Sequence, residues 1–226
     1  MGKNYNPKSI TRGLICYLDV ANKLCYTGAG ITANGLISGI GMTLVNGTGF
    51  SSSNFGSFFF DGTNDHMPFY IPGIGNTITV EMWAKINLFE LGMPFGFNFY
   101  DVFCYQGSLG FNTGNSDQYG VLSSQISGLG ISSKWTNYHF EMRSDVSYTN
   151  NKVYINGELQ NLQVILAGES SSNRNFNSGV GRISGWNANT NFALNMNMSI
   201  FKMYNRSLSQ IEIIQNFRAM KGRFGL

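Results

Sequence analysis

Residues 78–86, ITVEMWAKI, decide the fold class of this chain. Apolar side chains occupy every second position, and the positions between them hold Thr79, Glu81, Trp83 and Lys85. A period of two sustained over this stretch predicts a β-strand with one face toward a core. Residues 135–142, WTNYHFEM, alternate in the same way. We therefore expect two long strands here, each with a buried face.

Shorter apolar stretches closed by turn residues extend this pattern along the chain. They lie at 13–20 (GLICYLDV), 42–45, 57–60 (SFFF) and 152–155 (KVYI). The pair Asp61-Gly62 predicts a turn, because Gly adopts positive φ at little cost, and Asn156-Gly157 between strands predicts a hairpin. Residues 88–120 are rich in Phe, Gly and Tyr, and we expect two or three strands there. Many short strands with turns every 8 to 12 residues or so, about the spacing seen here, predict an all-β sandwich or barrel.

The stretch 194–200, LNMNMSI, predicts a strand with one solvated face. Alternation places Leu194, Met196, Met198 and Ile200 on the buried side. The opposite face then carries Asn195, Asn197 and Ser199.

One short helix is predicted over residues 209–220. Ser209 and Glu212 have the spacing of a capping box, in which each side chain accepts from the other residue's backbone N–H. Leu208 and Ile213 stand where a hydrophobic staple would form, and Gly222 is the expected stop. The basic residues of the last turns suit the negative end of the helix dipole; they are Arg218, Lys221 and Arg223.

Length and composition predict one domain with a weakly charged, polar surface. The chain has 226 residues, of which 42% are hydrophobic and only 12% charged, about half the usual charged share. Asn, Ser, Thr and Gly supply the remaining polarity, which suits uncharged partners but also fits an AT-rich coding bias. Without a repeat or linker, we expect an extended arm at 1–12, a sandwich at 13–206, and a helix and tail at 207–226 packed on the same domain.

Charge and cysteine usage exclude several classes of protein. The net charge is +3 and the basic residues form no stripe, which argues against nucleic-acid binding. Three cysteines without a regular spacing and two histidines predict neither a disulfide framework nor a zinc site. No stretch reaches the roughly 18 apolar residues of a membrane span. The polar start MGKNYNPKSITRG leads us to expect no export signal and synthesis in a cytoplasm.

Five segments together resemble a known family. In order they are GLICYLD at 13–19, TLVNG and SFFFDGTNDHM within 43–67, ITVEMWAKI at 78–86, KVYINGEL at 152–159, and IFKMYNRSLSQIEIIQNFRAMKGRFG at 200–225. This series resembles the concanavalin A-like, laminin-G-like domains of tailed-bacteriophage structural proteins. The resemblance implies a two-sheet antiparallel jelly-roll β-sandwich. His66 departs from it by replacing a usual aromatic residue, and residues 27–41 replace a Trp-containing segment.

The resemblance implies calcium as the candidate cofactor, because laminin-G-like relatives often bind it at the rim of the sandwich. Asn64 and Asp65 could supply oxygen ligands, and Asp117 lies in a loop rich in Asn and Ser. Calcium takes about 6 to 8 oxygen ligands. The alternative is that residues 61–65 form a turn whose side chains bond its own backbone.

Carbohydrate binding would use aromatic rings next to amide groups. Trp186 lies in GWNANTN beside Asn187 and Asn189, and Tyr119 lies in another loop-like setting. The alternative is that these aromatic rings pack inside the sandwich.

Enzymatic activity is not expected. Glycosidases of this superfamily carry a Glu-x-Asp-x-Glu triplet on one strand, and the chain has none. Glycoside hydrolysis needs two carboxylates around the scissile bond, whereas Glu81 and Glu141 each stand alone on a strand. A degenerate glycosidase remains a third reading, in which sugar release would depend on Glu81 or Glu141.

The leading interpretation is a non-enzymatic virion protein that decorates a capsid or belongs to a fibre. Its partners would be other virion proteins, such as capsid or fibre subunits, with cell-surface glycans or further copies of the chain as additional ones. Residues 1–12 and 221–226 would anchor it to neighbouring subunits. The alternative is a free, lectin-like carbohydrate-binding module, with or without calcium.

Overall fold

The structure is a computed structural model that describes residues 8–37, 39–53, 56–187 and 191–226. Within these ranges the chain forms 17 strands and two α-helices, α1 (Ser123–Leu129) and α2 (Gln210–Met220). Neither helix has the length and hydropathy that a membrane span requires. The strands are β1 (Leu14–Asp19), β2 (Thr32–Asn34), β3 (Gly41–Thr43), β4 (Gly49–Ser51), β5 (Ser57–Asp61), β6 (Met67–Tyr70), β7 (Thr77–Ile86), β8 (Leu91–Gly96), β9 (Asp101–Tyr105), β10 (Ser108–Asn112), β11 (Gln118–Val121), β12 (Trp135–Arg143), β13 (Lys152–Ile155), β14 (Glu158–Leu159), β15 (Gln163–Leu166), β16 (Val180–Ile183) and β17 (Asn195–Tyr204).

Two large antiparallel sheets form a sandwich, as predicted. In the described ranges the eight-stranded sheet has the order β14-β13-β12-β7-β17-β5-β4. The eighth strand, β1, pairs with the C-terminal half of β17, from Ile200 to Tyr204. The seven-stranded sheet has the order β15-β11-β10-β9-β8-β16-β6. Strands β2 and β3 form a separate hairpin. The predicted Asn156-Gly157 turn joins β13 to β14, with both residues at positive φ (53° and 86°).

The core lies between the two large sheets and confirms the period-two interpretation of β7. Its alternate residues from Ile78 to Ile86 are at most 1% exposed. Aromatic rings from both sheets interlock there: Phe140 lies 5.5 Å from Phe95 and 6.3 Å from Phe111 between ring centroids. Burial of each such side chain contributes about 1.5–3 kcal/mol.

A β-bulge in β17 makes part of the predicted face assignment wrong. The register of β17 against β7 shifts between Met198 and Ile200. The extra residue reverses the faces beyond it, so Phe201 joins the core while Ile200 packs outside with Trp83. Ser199 is fully buried and donates to the Gly56 carbonyl (2.6 Å), so it is not part of a solvated face.

The outer face of the eight-stranded sheet is covered by the C-terminal segment. Trp83, expected on the polar face of β7, is fully buried and stacks on Phe224 (4.2 Å between centroids, 11° between planes). Phe217 of α2 stacks beside them at 5.9 Å. We call α2 and the following 3₁₀ turn Lys221–Phe224 the C-terminal cap.

The start of α2 confirms the predicted capping box, and the helix ends at Met220 as predicted, although Gly222 is not the left-handed residue that ends it. Ser209 Oγ accepts from the Glu212 N–H (3.3 Å), and Glu212 Oε2 accepts from the Ser209 N–H (2.9 Å). Arg206 donates to both oxygens of Glu212, which lowers the pKa of that carboxyl to about 2. A 3₁₀ turn follows the helix over Lys221–Phe224, and the left-handed residue is Gly225, with a φ of 76°.

In residues 88–120 and 123–129 the structure contains elements that the sequence does not predict. Residues 88–120 hold four strands rather than two or three, because both faces of β9 carry apolar side chains, Val102 and Cys104 on one and Phe103 and Tyr105 on the other, which hides the alternation. Helix α1 was not predicted, because its sequence SSQISGL has a single buried side chain, Ile126, and no helical periodicity.

Replacing Phe224 by Ala should remove the main contact of the C-terminal cap with Trp83. We expect a loss of about 3 kcal/mol, the lower part of the range for buried aromatic-to-alanine changes, because the site is close to the chain end. Urea unfolding measures this loss. Leu226→Ala is the control, since Leu226 is 47% exposed. Equal unfolding midpoints for the two variants would show that the cap does not depend on the Phe224–Trp83 stack.

Candidate ligand-binding pocket

The outer face of the seven-stranded sheet carries a pocket of about 370 Å³. Strand β9 places it there by alternation: Val102 and Cys104 point into the core, while Asp101, Phe103 and Tyr105 line the pocket. We call this space the β9 pocket. Leu91 and Met93 of β8, Asn112 at the end of β10, and the segment around Trp186 complete much of its lining.

Four aromatic rings form a continuous wall of the β9 pocket. Phe103 lies 5.6 Å from Tyr105 and 5.7 Å from Phe192 between ring centroids. Phe192 in turn lies 6.4 Å from Trp186. Edge-to-face and offset contacts at such distances hold the rings in place. The wall is therefore built from β9 and from the segment between β16 and β17.

Trp186 and Phe192 are each hydrogen-bonded to the strand β8 or to the loop that follows it. The Met93 N–H donates to the Phe192 carbonyl (2.8 Å), and the Trp186 indole N–H donates to the Asn98 carbonyl. Phe192 has φ of 62°, the left-handed region, which costs a bulky residue roughly 1–3 kcal/mol. Strained residues of this kind cluster at functional sites. The residue with this strained backbone is one whose ring lines the β9 pocket.

Asp101 lies at the floor of the pocket and is fully buried. Within the described part of the chain neither carboxylate oxygen has a hydrogen-bond partner. A Cβ at Gly96 on the neighbouring strand would lie 1.8 Å from Asp101 Oδ1, so glycine is needed there to leave room for the carboxylate. Burial raises the pKa of Asp101 well above its usual value, and the nearby charge of Asp117 raises it further.

Asp117, by contrast, is a buried carboxylate with several donors. It accepts from the backbone N–H of Thr113 (3.0 Å), from the Thr113 hydroxyl (3.0 Å) and from the Asn115 N–H (3.1 Å). These contacts fold the β10–β11 turn around it. Asp117 therefore stabilises a turn and also adds negative potential near Asp101.

The structure does not bring the predicted calcium ligands together. Asp65 Oδ2 accepts from the Asp61 N–H (3.1 Å), and the Asn64 carbonyl accepts from the Asn46 amide (3.2 Å), as in a self-bonded turn. Asp117 serves the separate turn between β10 and β11. The described residues contain no group of three or more His, Cys, Asp or Glu that could hold a metal ion. Calcium binding stays a prediction.

The predicted sugar-binding residues are separated as well. Trp186 lines the β9 pocket, and Asn187 follows it in a turn. Tyr119 lies on the core side of β11 with its ring 5.6 Å from Tyr148, so it does not reach the pocket. Asn189 lies outside the described residues. Sequence reasoning missed Asp101, although the alternating Asp-x-Phe-x-Tyr pattern at 101–105 places an acid on an aromatic face.

The two glutamates considered for glycoside hydrolysis lie away from the pocket, on the opposite sheet. Glu81 is fully buried, and Lys202 Nζ on the neighbouring strand approaches its Oε2 at 3.1 Å. His139 is also buried there, and its pKa is lowered to about 4, chiefly by burial. Glu141 pairs with Lys152 at 3.3 Å. The glycosidase reading through Glu81 is therefore wrong, because no substrate can reach that carboxylate.

Comparisons with known proteins identify the fold. Neither the protein-family profiles nor the curated proteins give a match. Among solved structures, the chain is similar to the receptor-binding domain of botulinum neurotoxin C/D mosaic serotype (TM-score 0.61, 14% identity, 91% of this chain, 51% of the other). It is also similar to the serotype D ligand-binding domain in complex with N-acetylneuraminic acid (0.59, 13%, 91% and 50%). A third match is the neurotoxin DC binding domain in complex with rat synaptotagmin II (0.63, 14%, 92% and 52%).

These matches confirm the predicted concanavalin A-like jelly-roll sandwich. At 13–14% identity the likeness concerns the fold alone. The chain spans about half the length of each matched domain, which is 50–52% in these three cases. The fold is thus one that receptor-binding and ligand-binding domains use.

Replacing Asp101 by Asn should flatten the pH dependence of stability. Because the native pKa of Asp101 lies above the unfolded value of about 3.9, the native state binds more protons between the two values, and stability falls as pH rises. We expect the parent to lose more stability than Asp101→Asn between about pH 5 and pH 8 in urea unfolding.

Asp145→Asn is the control for this measurement, because Asp145 is an exposed carboxylate that pairs with Arg143 at 3.0 Å. It should keep the slope of the parent. A parental slope in Asp101→Asn as well would contradict the assignment of a raised pKa to Asp101.

Proposed function

We propose that this chain is a lectin-like carbohydrate-binding module whose ligand occupies the β9 pocket. The observation that carries the proposal is the combination of an aromatic wall ending at Trp186 with a buried carboxylate that has no hydrogen-bond partner in the described chain. The predicted role of Trp186 and the fold comparisons support the same class of function.

The pocket has the composition of a small-molecule site. Such sites measure roughly 300–1,000 Å³ and combine apolar walls with a few polar groups. The β9 pocket, at about 370 Å³, falls at the lower end of that range. Aromatic rings stack on the C–H faces of a sugar ring, and polar groups such as Asn112 and Ser116 in the lining can bond to hydroxyls. One sugar unit with a mixed apolar and polar surface suits this arrangement.

The matched structures support a binding role rather than a catalytic one. They are described as receptor-binding or ligand-binding domains, and one is in complex with N-acetylneuraminic acid. Because the chain covers half of that domain, the match supports binding by this class of protein without assigning the ligand to the shared half. The identity of the sugar must therefore be inferred from the residues that line the β9 pocket.

The virion role stays a prediction that rests on the sequence resemblance. The described parts of its expected anchors pack on the chain's own domain: the Ile10 N–H donates to Asn216 of α2 (2.8 Å), and Phe224 stacks on Trp83. Gold-labelled antibody on particles from the source organism tests the role, because an absence of label would reject it. A glycan-binding module on a particle would satisfy both proposals.

Replacing Trp186 by Ala should weaken glycan binding by about ten-fold or more, because a buried Trp anchor commonly dominates such sites. A glycan array followed by calorimetry on the best ligand measures the loss. Tyr70→Ala is the matched control: Tyr70 is 59% exposed on β6 of the same sheet, outside the lining of the pocket. If both variants bind as the parent does, the β9 pocket is not the site.

A further inference from the structure

We infer that the β9 pocket recognises an organic ammonium group, so that the bound glycan carries an amino sugar or a quaternary ammonium substituent. The inference deepens the proposed function and rests on it for the claim that the ligand is a glycan. Three features carry it: the aromatic wall, the acidic floor, and the absence of basic side chains from the described lining.

The aromatic wall has the chemistry of an ammonium cage. The faces of Trp, Tyr and Phe rings carry negative quadrupole potential, which attracts a cation within about 6 Å of the ring centroid. Tyr105, Phe103, Phe192 and Trp186 follow one another with centroid separations of 5.6, 5.7 and 6.4 Å. A single cation in the pocket can therefore approach several rings at once. The left-handed backbone of Phe192 holds one of these rings in position.

The floor supplies a carboxyl group that no donor of the described chain compensates, so a cation that enters the pocket would lower the raised pKa of Asp101 and favour its charged form. Asp101 is fully buried, and no donor in the described chain contacts either of its carboxylate oxygens. A buried carboxylate is costly unless an opposite charge or donors compensate it. Because its oxygens lie beneath the lining, Asp101 would act on a bound cation through its electric field. Asp117 adds to the same field.

No described residue lining the pocket is Lys, Arg or His. The nearest basic residue in the sheet register is Arg182 on β16, which is separated from Asp101 by Gly96. Arg182 makes no hydrogen bond to Asp101. Its charge instead contributes to the lowered pKa of His66, after the larger effect of burial. The pocket therefore disfavours an anionic sugar such as N-acetylneuraminic acid.

The direct test is calorimetry with charged ligands and their neutral counterparts. Choline is compared with its uncharged isostere, in which a tert-butyl group replaces the trimethylammonium group, and glucosamine is compared with N-acetylglucosamine. We expect each cation to bind about ten-fold tighter than its neutral counterpart. N-acetylneuraminic acid should be the weakest ligand. The choline and glucosamine arms distinguish a quaternary ammonium from an amino sugar.

Two variants assign the preference to the pocket. Asp101→Asn should remove the preference for the cation and leave the affinity for the neutral counterpart, while Asp145→Asn should behave as the parent. If Asp101→Asn does not fold, Tyr105→Leu replaces one ring by an aliphatic group. It should weaken choline binding several-fold more than binding of the isostere.

The outcomes separate the inference from the proposed function. Equal binding of glucosamine and N-acetylglucosamine, or tightest binding of N-acetylneuraminic acid, would overturn the ammonium inference while leaving carbohydrate binding intact. Binding of choline over its isostere without binding of any sugar would uphold the inference and overturn the carbohydrate proposal. No binding by any of these ligands would overturn both.

Discussion

The stack of Phe224 on Trp83 determines which outer face of the sandwich carries the pocket. Each sheet buries one face in the shared core, and its other face must be solvated or covered. The C-terminal cap covers Trp83 on the outer face of the eight-stranded sheet, so this side chain, which a sheet of this type would present to solvent, is fully buried. On the seven-stranded sheet, β9 is covered instead by the rings of Phe192 and Trp186, and the β9 pocket forms between these rings and the strand. The site follows from this asymmetry.

Two of the buried acids, Glu81 and Asp101, lie on opposite sheets and differ in the same way. Glu81 is paired with Lys202 of the neighbouring strand β17 at 3.1 Å, an arrangement that joins two strands within the eight-stranded sheet. Asp101 lies on the pocket side, in space left by the missing side chain of Gly96, without a partner in the described residues. A buried carboxyl group without a hydrogen-bond partner costs stability, and functional sites are where proteins commonly tolerate such a cost. The strained backbone of Phe192, which lines the same pocket, also indicates a functional site.

Much of the fold could be predicted from the sequence, because period-two alternation in β7 and the capping box at Ser209 are local patterns. The bulge at Ser199 and the four strands in 88–120 could not, since the first depends on register against β7 and the second is hidden by apolar residues on both faces of β9. Of the site, only Trp186 was predicted. Asp101 is a candidate site residue because it is buried and because Gly96 on another strand leaves space for its carboxyl group. Neither feature can be read from spacing along the chain. Tyr119 looked exposed because its neighbours are polar, yet its ring lies on the core side.

The most direct test of the central claim is the indole region of a proton–nitrogen NMR spectrum during titration with glucosamine. The chain has three tryptophans, which occupy different environments: Trp83 and Trp135 lie against the C-terminal cap, and Trp186 lines the β9 pocket. The account predicts that the Trp186 indole signal, whose N–H donates to Asn98, shifts with saturation while the other two stay in place. A shift confined to Trp83 or Trp135, or saturable binding that leaves all three signals unchanged, would contradict it.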